Sequence, residues 1–217
     1  MSSTDLSPAE AQEASLAYAE MFISDNEAAR KARKASADLG VSPVSRGAAQ
    51  TLTFLARTIA AQSVVEIGTG AGVSALALFA GMRRDGILTS IDSQVDHHLT
   101  AREMLTNAGI KYQRFRLISG EALSVLPKLA DESYDLVFID ADPMEYPEYL
   151  EQALRILRRG GIVALYHVLL GGTVADRDNY AEKTLIVRDC LDAIRGLDEL
   201  TSTLLPLGDG LLAGIKN

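Results

Sequence analysis

The sequence predicts an α/β fold, a doubly wound and mostly parallel sheet of seven strands preceded by N-terminal helices. From residue 63 onward, short apolar segments rich in β-branched residues alternate with segments of helical periodicity, as in parallel sheets covered by helices. A glycine-rich turn follows the first apolar segment, at the position where such sheets bind nucleotides. The last segment, LTSTLLPLGDGLLAGIK, predicts two antiparallel strands joined at Gly208-Asp209-Gly210.

The composition is that of one globular domain. A length of 217 residues is enough for one ample core, and we expect an N-terminal helical cap over residues 1–60 and an α/β core over residues 61–217. The chain holds 47% hydrophobic and 23% charged residues, with no apolar run long enough to span a membrane. Its net charge of −8 argues against a nucleic-acid partner.

The chain has one cysteine, Cys190, which excludes an internal disulfide. It falls in a predicted helix, VRDCLDAI, where a buried and inert thiol is the expected state. The N-terminal segment has no signal-peptide pattern, so a cytoplasmic location is the default expectation.

Three helices are predicted before the first strand. Ser7-Pro8 supplies an N-cap and a first-turn proline for the first helix. The second is expected from Asn26 to Leu39 and ends before Gly40. Ser42-Pro43 is expected to begin the third helix, which leads into the central strand.

The stretch SVVEIGTGAG, residues 63–72, is the part of the chain around which the rest is arranged. Its β-branched residues predict a buried strand. Its three alternate glycines let the backbone turn sharply and let a ligand lie against it. Helical spacing resumes at Val73, so strand, turn and helix N-terminus together form a mononucleotide-binding corner.

The acidic residue Glu66, two positions before Gly68, narrows the choice of cofactor. A carboxylate there would repel the pyrophosphate of a dinucleotide and attract an ammonium group. S-adenosylmethionine (SAM) carries an ammonium, a carboxylate and a sulfonium but no phosphate, so we expect SAM. The alternatives are a glycine-rich turn of another α/β protein and an NAD-linked oxidoreductase, which the spacing G-x-G-x-G disfavours.

Acidic residues follow two further predicted strands. Asp92 ends the strand GILTSI, where its carboxylate can accept both ribose hydroxyls of a nucleoside; the alternative is an ordinary cap of the next helix. Asp140 and Asp142 follow the strand YDLVFI, at the edge where such sheets bind ligands; the alternative is a pair of solvated loop acids.

Two other pairs of residues, Glu121-Ala122 and His97-His98, indicate a role in the site less clearly. Glu121 and the backbone of Ala122 follow the third predicted strand, FRLISG, and are expected to lie against the adenine ring. For Glu121 the alternative is a favourable charge at a helix N-terminus. The neighbouring His97 and His98 are expected at the surface of a helix.

These motifs together resemble the small-molecule O-methyltransferases of the catechol and caffeoyl-CoA type, within the class I SAM-dependent methyltransferases. The likeness runs from about Ser42 to the C-terminus and rests on EIGTGAGVSALAL, Asp92, SGEAL, YDLVFIDAD, LRRGGIV and LPLGDGLL. It implies the class I methyltransferase fold and methyl transfer from SAM to an oxygen of a small acceptor, for example a phenol. It also implies a homodimer formed through the N-terminal helices.

The resemblance also assigns residues to the cofactor and to the acceptor. Asp140 would face the acceptor. Ser74, in the first helical turn after the glycines, would help to hold the methionine carboxylate. The implied SAM pocket includes Val44, Glu66, Gly68, Thr69, Gly70, Ser74, Asp92, Ser93, Ala122 and Asp142.

The chain departs from the family at positions where the family commonly has a lysine and metal ligands. The family commonly has a lysine after Asp-Ala-Asp, where this chain has Pro143. The family's fifth strand commonly ends in Asp-Asn, which binds a divalent cation with the first Asp of Asp-Ala-Asp, whereas this chain has Tyr166-His167. Mg²⁺ and Ca²⁺ prefer several hard oxygen donors, so no tightly bound Mg²⁺ or Ca²⁺ is expected. Two ligands, His167 and Asp140, are too few to indicate zinc.

His167 is the candidate catalytic base, expected in the acceptor pocket with Asp140 beside it. Neighbouring strand residues point to opposite faces, so only one of Tyr166 and His167 is expected to reach the acceptor, and Tyr166 is the other candidate contact. His167 could instead only fill space or bond a backbone carbonyl. Because the usual lysine and metal ligands are replaced, a SAM-binding protein with little or no transferase activity is the second hypothesis.

Overall fold

Seven strands form one sheet in the order β3-β2-β1-β4-β5-β7-β6 in the computed structural model, which describes residues 6–217. All neighbouring strands are parallel except for the pairs that β7 makes with β5 and β6, which are antiparallel. The strands are β1 (Ser63–Ile67), β2 (Ile87–Asp92), β3 (Phe115–Ser119), β4 (Tyr134–Ile139), β5 (Leu157–Tyr166), β6 (Leu200–Leu205) and β7 (Leu211–Lys216). The predicted sheet and its closing hairpin are confirmed.

Helices cover both faces of this sheet. The α-helices are α1 (Pro8–Met21), α2 (Glu27–Asp38), α3 (Arg46–Thr58), α4 (Val73–Gly81), α5 (Val95–Asn107), α6 (Ala122–Val125), α7 (Tyr146–Ile156) and α8 (Glu182–Arg195). One apolar cluster joins one face of the sheet to residues of α3, α4 and α5, and a second joins the other face to residues of α7 and α8. Strand residues alternate between the clusters, since Val64 belongs to the first and Val65 to the second.

Two of the three N-terminal helices begin where the sequence predicts. Ser7 caps α1 with a reciprocal capping box to Glu10, and Asn26 caps α2. The third helix starts later than predicted, because residues 41–45 form neither helix nor strand and Ser45 provides the N-cap. The predicted start at Ser42-Pro43 is therefore wrong. Pro43 disfavours helical backbone at the residue before it, Ser42. In addition, the Val44 carbonyl accepts a 2.6 Å hydrogen bond from the Arg33 side chain.

The fifth strand is irregular near its start, where it contains the pair Gly160-Gly161. Helix α7 ends at Ile156, and β5 already pairs with β4 at Leu157. The register then shifts before Ile162, and Gly160 in this irregular part has φ +73°. Gly160-Gly161 therefore lies within a bulged strand.

Two further predictions concern Cys190 and the length of apolar segments. Cys190 is buried in α8, as predicted. Within residues 6–217, every helix is too short or too polar to cross a membrane.

Candidate functional site

The ends of β1 and β4 meet at the glycine turn, and this contact brings the candidate residues together. Gly68 has φ +92°, and a Cβ atom on it would lie 1.9 Å from the carbonyl oxygen of Asp140. No other residue type fits such a close approach. The amide of Asp140 also donates to the Ile67 carbonyl over 2.8 Å. The Asp140 side chain is consequently held beside the glycine turn.

Glu66 lies beneath this turn with its side chain fully buried. One carboxylate oxygen accepts a 2.5 Å hydrogen bond from the Ser90 hydroxyl, and the other, Oε1, is buried without a partner. Burial raises the pKa of Glu66 to about 7, which the charges of Asp140 and Asp92 reinforce and the hydroxyls of Ser74 and Ser90 oppose. A buried carboxyl with a free oxygen is costly unless a cationic group pairs with it.

Asp92 ends β2 with its carboxylate bound from several directions. Oδ2 accepts hydrogen bonds from the amides of Thr69 (2.9 Å) and Gly70 (3.2 Å), and Oδ1 accepts one from the amide of Gln94 (2.8 Å). Nδ1 of His97 lies 2.9 Å from Oδ2. Burial alone would raise the pKa of Asp92, but the donors around it lower the pKa below its ordinary value. Asp92 is therefore an anionic anchor for the glycine turn.

His97 and His98 of α5 were both predicted to lie at the surface, and this prediction is wrong for His98, which is buried. His97 contacts Asp92, and the side chain is only 20% exposed. His98 is 7% exposed, and burial lowers its pKa. Their positions depend on the packing of α5 against the sheet, which a two-residue motif does not reveal.

Two clefts open on either side of Gly68 and His97, which line both of them. The first runs between the segment 41–44 and the glycine turn, with Ser74 and Asp140 in its wall. The second runs from Asp92 along the ends of β2 and β3 towards Tyr149. Because Gly68 and His97 line both, the two clefts are neighbours, and we refer to them together as the elongated cavity.

Most of the predicted cofactor residues line this cavity. Those in the first cleft are Val44, Gly68, Thr69, Gly70 and Ser74. Those in the second are Asp92, Ser93, Ala122 and Asp142, with Glu121 beside them. Glu66 differs, because its side chain is fully buried and lines neither cleft. The cavity thus brings together residues from β1, β2, β4 and the N-terminal region.

Asp140 and His167 lie together at the end of the first cleft. Oδ1 of Asp140 is 3.6 Å from Nε2 of His167, and the Asp140 side chain is 17% exposed. Burial raises the pKa of Asp140 to about 6, and the nearby imidazole opposes this rise. His167 has φ +57°, a left-handed conformation that is uncommon for non-glycine residues. The predicted neighbourhood of His167 and Asp140 is present in the structure.

Tyr166 is buried, with its hydroxyl directed to the N-terminal region. The hydroxyl accepts a 3.0 Å hydrogen bond from the amide of Ser45. The tyrosine and imidazole rings lie side by side, with centroids 4.4 Å apart. Since β5 ends at Tyr166 and His167 is left-handed, the two side chains do not follow the alternation of a regular strand.

Two residues near the site had no functional signal in the sequence. Asp209 lies 3.0 Å from Nδ1 of His167, although the Gly208-Asp209-Gly210 motif indicated only a turn. Lys183, at the start of α8, places Nζ 3.3 Å from Oδ1 of Asp142. Both contacts join positions that are distant along the chain, and local patterns do not reveal such pairs.

The residues around Asp140 do not fit the cation site of the resembled family. The Tyr166 hydroxyl is bonded to the amide of Ser45, and His167 offers ring nitrogens and no oxygen, so neither supplies a hard oxygen donor next to Asp140. Across residues 6–217, no three or more histidine, cysteine or acidic side chains converge as metal ligands would.

The sheet order, the glycine turn and the acidic ends of β1, β2 and β4 define the class I methyltransferase architecture. A family model described as O-methyltransferase matches residues 15–216. A protein of Mycobacterium sp. (strain KMS) named "Putative O-methyltransferase" is 45% identical over 94% of this chain and 93% of its own length. The chain therefore belongs to the O-methyltransferase family, whose members transfer a methyl group from SAM to an oxygen.

Solved structures show the same architecture. A protein of Corynebacterium glutamicum superposes with a TM-score of 0.88 at 32% identity, over 95% of this chain and 97% of that one. The O-methyltransferase TomG of Streptomyces achromogenes, which is involved in tomaymycin synthesis and was solved in complex with SAM, gives a TM-score of 0.84 at 28% identity. That match covers 94% of this chain and 96% of TomG.

Replacing Glu66 by Gln should flatten the pH dependence of stability in the cofactor-free protein. Because burial raises the pKa of Glu66 from 4.5 to about 7, the folded state holds a proton that the unfolded state releases. Stability should therefore fall as pH rises from 4.5 to 7, by roughly 3 kcal/mol from this group. Urea unfolding between pH 4.5 and 8 measures the effect.

The exposed Glu103 gives a matched control. Glu103→Gln should keep the pH dependence of the unmodified protein. Equal pH dependence of Glu66→Gln and the unmodified protein would show that Glu66 has an ordinary pKa in the folded state.

Proposed function

We propose that the chain methylates an oxygen of a small acceptor, with SAM in the elongated cavity and the acceptor next to Asp140 and His167. The observation that carries this proposal is the buried Glu66 carboxylate, whose Oε1 has no protein partner beneath the glycine turn. SAM offers an ammonium group that this charge would attract. The proposed SAM contacts are Val44, Glu66, Gly68, Thr69, Gly70, Ser74, Asp92, Ser93, Ala122 and Asp142.

The first cleft suits the methionine end of SAM. Ser74 lies in the first turn of α4, where backbone amides lack intrahelical partners and can donate to a carboxylate. The Glu66 charge beneath the floor would balance the ammonium. Val44 closes the cleft from the N-terminal side, held by the hydrogen bond from Arg33 to its carbonyl.

The second cleft suits the adenosine end. Asp92 is kept ionised by its donors, so its carboxylate can accept ribose hydroxyls. Ala122 and Tyr149 provide apolar surface for a planar base. Asp142, bridged to Lys183, completes the wall with its carboxylate exposed to the cleft.

The acceptor end needs a base and an aligned acceptor oxygen. When bound, SAM supplies a sulfonium methyl group open to in-line attack by that oxygen. Nε2 of His167 would take the acceptor's proton, and Asp140 would orient the acceptor beside it. Tyr166 would shape this end by holding Ser45, and with it the segment that carries Val44, through its hydroxyl.

Cofactor binding tests the assignment of the cavity. Glu66→Gln and Asp92→Asn should each weaken SAM affinity roughly 10- to 150-fold at pH 8, because charge-assisted hydrogen bonds are worth roughly 1.5–3 kcal/mol. Isothermal titration calorimetry measures the change. Asp96→Asn, an exposed carboxylate on α5, is the control and should bind normally. Unchanged affinity in both site variants would overturn the assignment.

Chelation tests the acceptor end. We expect methyl transfer to survive EDTA, because Tyr166 and His167 replace the metal-binding pair of the resembled family and are bonded to other residues. The assay follows S-adenosylhomocysteine release with a panel of phenolic acceptors. Loss of activity in EDTA that Mg²⁺ restores would contradict metal independence. Tight SAM binding without turnover on any acceptor would instead favour a binding protein.

The identity of the base is tested by two single variants. His167→Asn should lower kcat by about 10²- to 10⁴-fold, the usual contribution of a general base. Tyr166→Phe should retain most of kcat, because its hydroxyl bonds a backbone amide and not the acceptor. Full activity of His167→Asn from pH 6 to 9 would exclude the histidine, and a large loss in Tyr166→Phe alone would move the role to the tyrosine.

We also propose that a second copy of the chain covers α1. This helix buries none of its residues, and Tyr18 (71%), Met21 (58%) and Phe22 (72%) are largely exposed. The helix is nevertheless fixed, since Glu20 accepts hydrogen bonds from the amides of Gly47 (2.7 Å) and Gly208 (2.6 Å). An ordered helix with an uncovered apolar surface is typical of an interface. A cytoplasmic location remains an expectation from the sequence.

Light scattering after size-exclusion chromatography tests the dimer. The unmodified chain should elute with twice its mass, and Tyr18→Ser with Phe22→Ser should give monomers. Leu99→Ser is the control, since Leu99 is 61% exposed on α5, away from α1. A monomeric unmodified chain, or a dimer that persists in the double variant, would rule out this interface.

A further inference from the structure

His167 lies between two carboxylates that come from opposite directions. Nδ1 is 3.0 Å from Oδ2 of Asp209, on the turn between β6 and β7. Nε2 is 3.6 Å from Oδ1 of Asp140, at the end of β4. The first distance is a hydrogen bond and the second is longer than one. One ring nitrogen is therefore engaged in a hydrogen bond, and the other lies next to Asp140, which lines the first cleft.

The Asp209 carboxylate is held rigidly by the chain around it. Its Oδ1 accepts a 2.6 Å hydrogen bond from the amide of Gly171, and its carbonyl accepts one of 2.9 Å from the amide of Leu169. The turn is pressed against its surroundings, since a Cβ on Gly208 would lie 2.1 Å from the Tyr166 hydroxyl. Asp209 thus binds both His167 and the loop that follows it.

The left-handed backbone of His167 completes this arrangement. A φ of +57° turns its side chain out of the path of β5, towards the hairpin and β4. Strained conformations of this kind persist where surrounding contacts fix them, and they concentrate at functional sites. Here the hydrogen bond to Asp209 is such a contact.

We propose that Asp209 is a positioning residue that fixes the neutral imidazole of His167 in the Nδ1–H tautomer, leaving the Nε2 lone pair for the acceptor's proton. The inference rests on the proposed role of His167 as the base. Asp209 is acceptor-only when ionised, so the proton of the Nδ1···Oδ2 hydrogen bond belongs to the imidazole. The gap of 3.6 Å between Nε2 and Asp140 then leaves an approach for the acceptor oxygen.

The proton and electron movements follow from this geometry. The acceptor O–H bond breaks towards Nε2, and the oxygen forms its new bond to the methyl carbon. The electrons of the broken carbon–sulfur bond remain on the sulfur, which becomes neutral. The imidazolium then lies between Asp209 and Asp140, with the Tyr166 ring beside it. Asp209 stabilises this charge as it forms.

The tautomer is directly measurable in the unmodified protein, without any acceptor. The chain has 3 histidines, so ¹⁵N NMR of histidine-labelled protein resolves each ring, and His167→Asn identifies the signals of His167. Above the pH at which His167 loses its proton, we expect a protonated Nδ1 and a bare Nε2. A neutral His167 with its proton on Nε2 would overturn the proposal.

Asp209→Asn then tests the function of the contact. The amide keeps an oxygen for the Gly171 amide but can donate to Nδ1, so it no longer enforces one tautomer. We expect a shift towards the Nε2–H form and at least a 10-fold loss of kcat, with KM for SAM unchanged. Asp198→Asn, an exposed aspartate before β6, should change neither.

Combining the variants separates this proposal from the assignment of the base. In a His167→Asn background, Asp209→Asn should cause no further loss of kcat, because both changes remove one function. If His167→Asn alone has no effect, the assignment of the base fails. If His167→Asn is defective while Asp209→Asn keeps full kcat and the Nδ1–H tautomer, only the role of Asp209 fails. If Asp209→Asn does not fold, Asp209→Glu is measured instead. Because glutamate keeps the acceptor-only carboxylate, this variant should keep the Nδ1–H tautomer.

Discussion

The structure depends on the close approach of β1 and β4 at their carboxyl ends. A Cβ atom at Gly68 would lie 1.9 Å from the Asp140 carbonyl, so only glycine lets the two strand ends converge. This convergence places the floor of the cavity, the Glu66 carboxylate and the Asp140 side chain within one region. The carboxyl ends of adjacent parallel strands always share an edge of the sheet. Here the glycine decides how near the two functional ends come.

Negative charge collects at this edge. Glu66 is fully buried and Asp140 is 17% exposed at its side chain, and burial raises the pKa of both. Asp92 differs because the donors around it outweigh burial and lower its pKa. A cluster of carboxyls in which two resist ionisation is unfavourable for the empty protein and favourable for a ligand that brings positive charge. The unmatched charge of these buried carboxyls therefore lowers the stability of the empty protein and favours a positively charged cofactor.

Local patterns in the sequence predicted the sheet well and the long-range contacts of the site poorly. Strands β1 to β4 and the hairpin follow from apolar runs and turn residues, which are local signals. The late start of α3 depends on Arg33, which bonds the Val44 carbonyl from another helix. The burial of His98 likewise depends on how α5 packs. Asp209 is 42 positions from His167 in the chain, so its motif shows a turn and not the contact.

The hairpin of β6 and β7 has a second role besides extending the sheet. Its turn presents Asp209 to His167, accepts a hydrogen bond from the amide of Gly171 in the loop after β5, and donates the Gly208 amide to Glu20 of α1. One turn thus joins His167 to the N-terminal region, through the contacts of Asp209 and Gly208. Because these contacts converge on a few rigid backbone atoms, displacement of α1 would act on the turn and, through Asp209, on the imidazole. The proposed dimer interface, which would hold α1 in place, would by this route also steady the imidazole that we propose as the base.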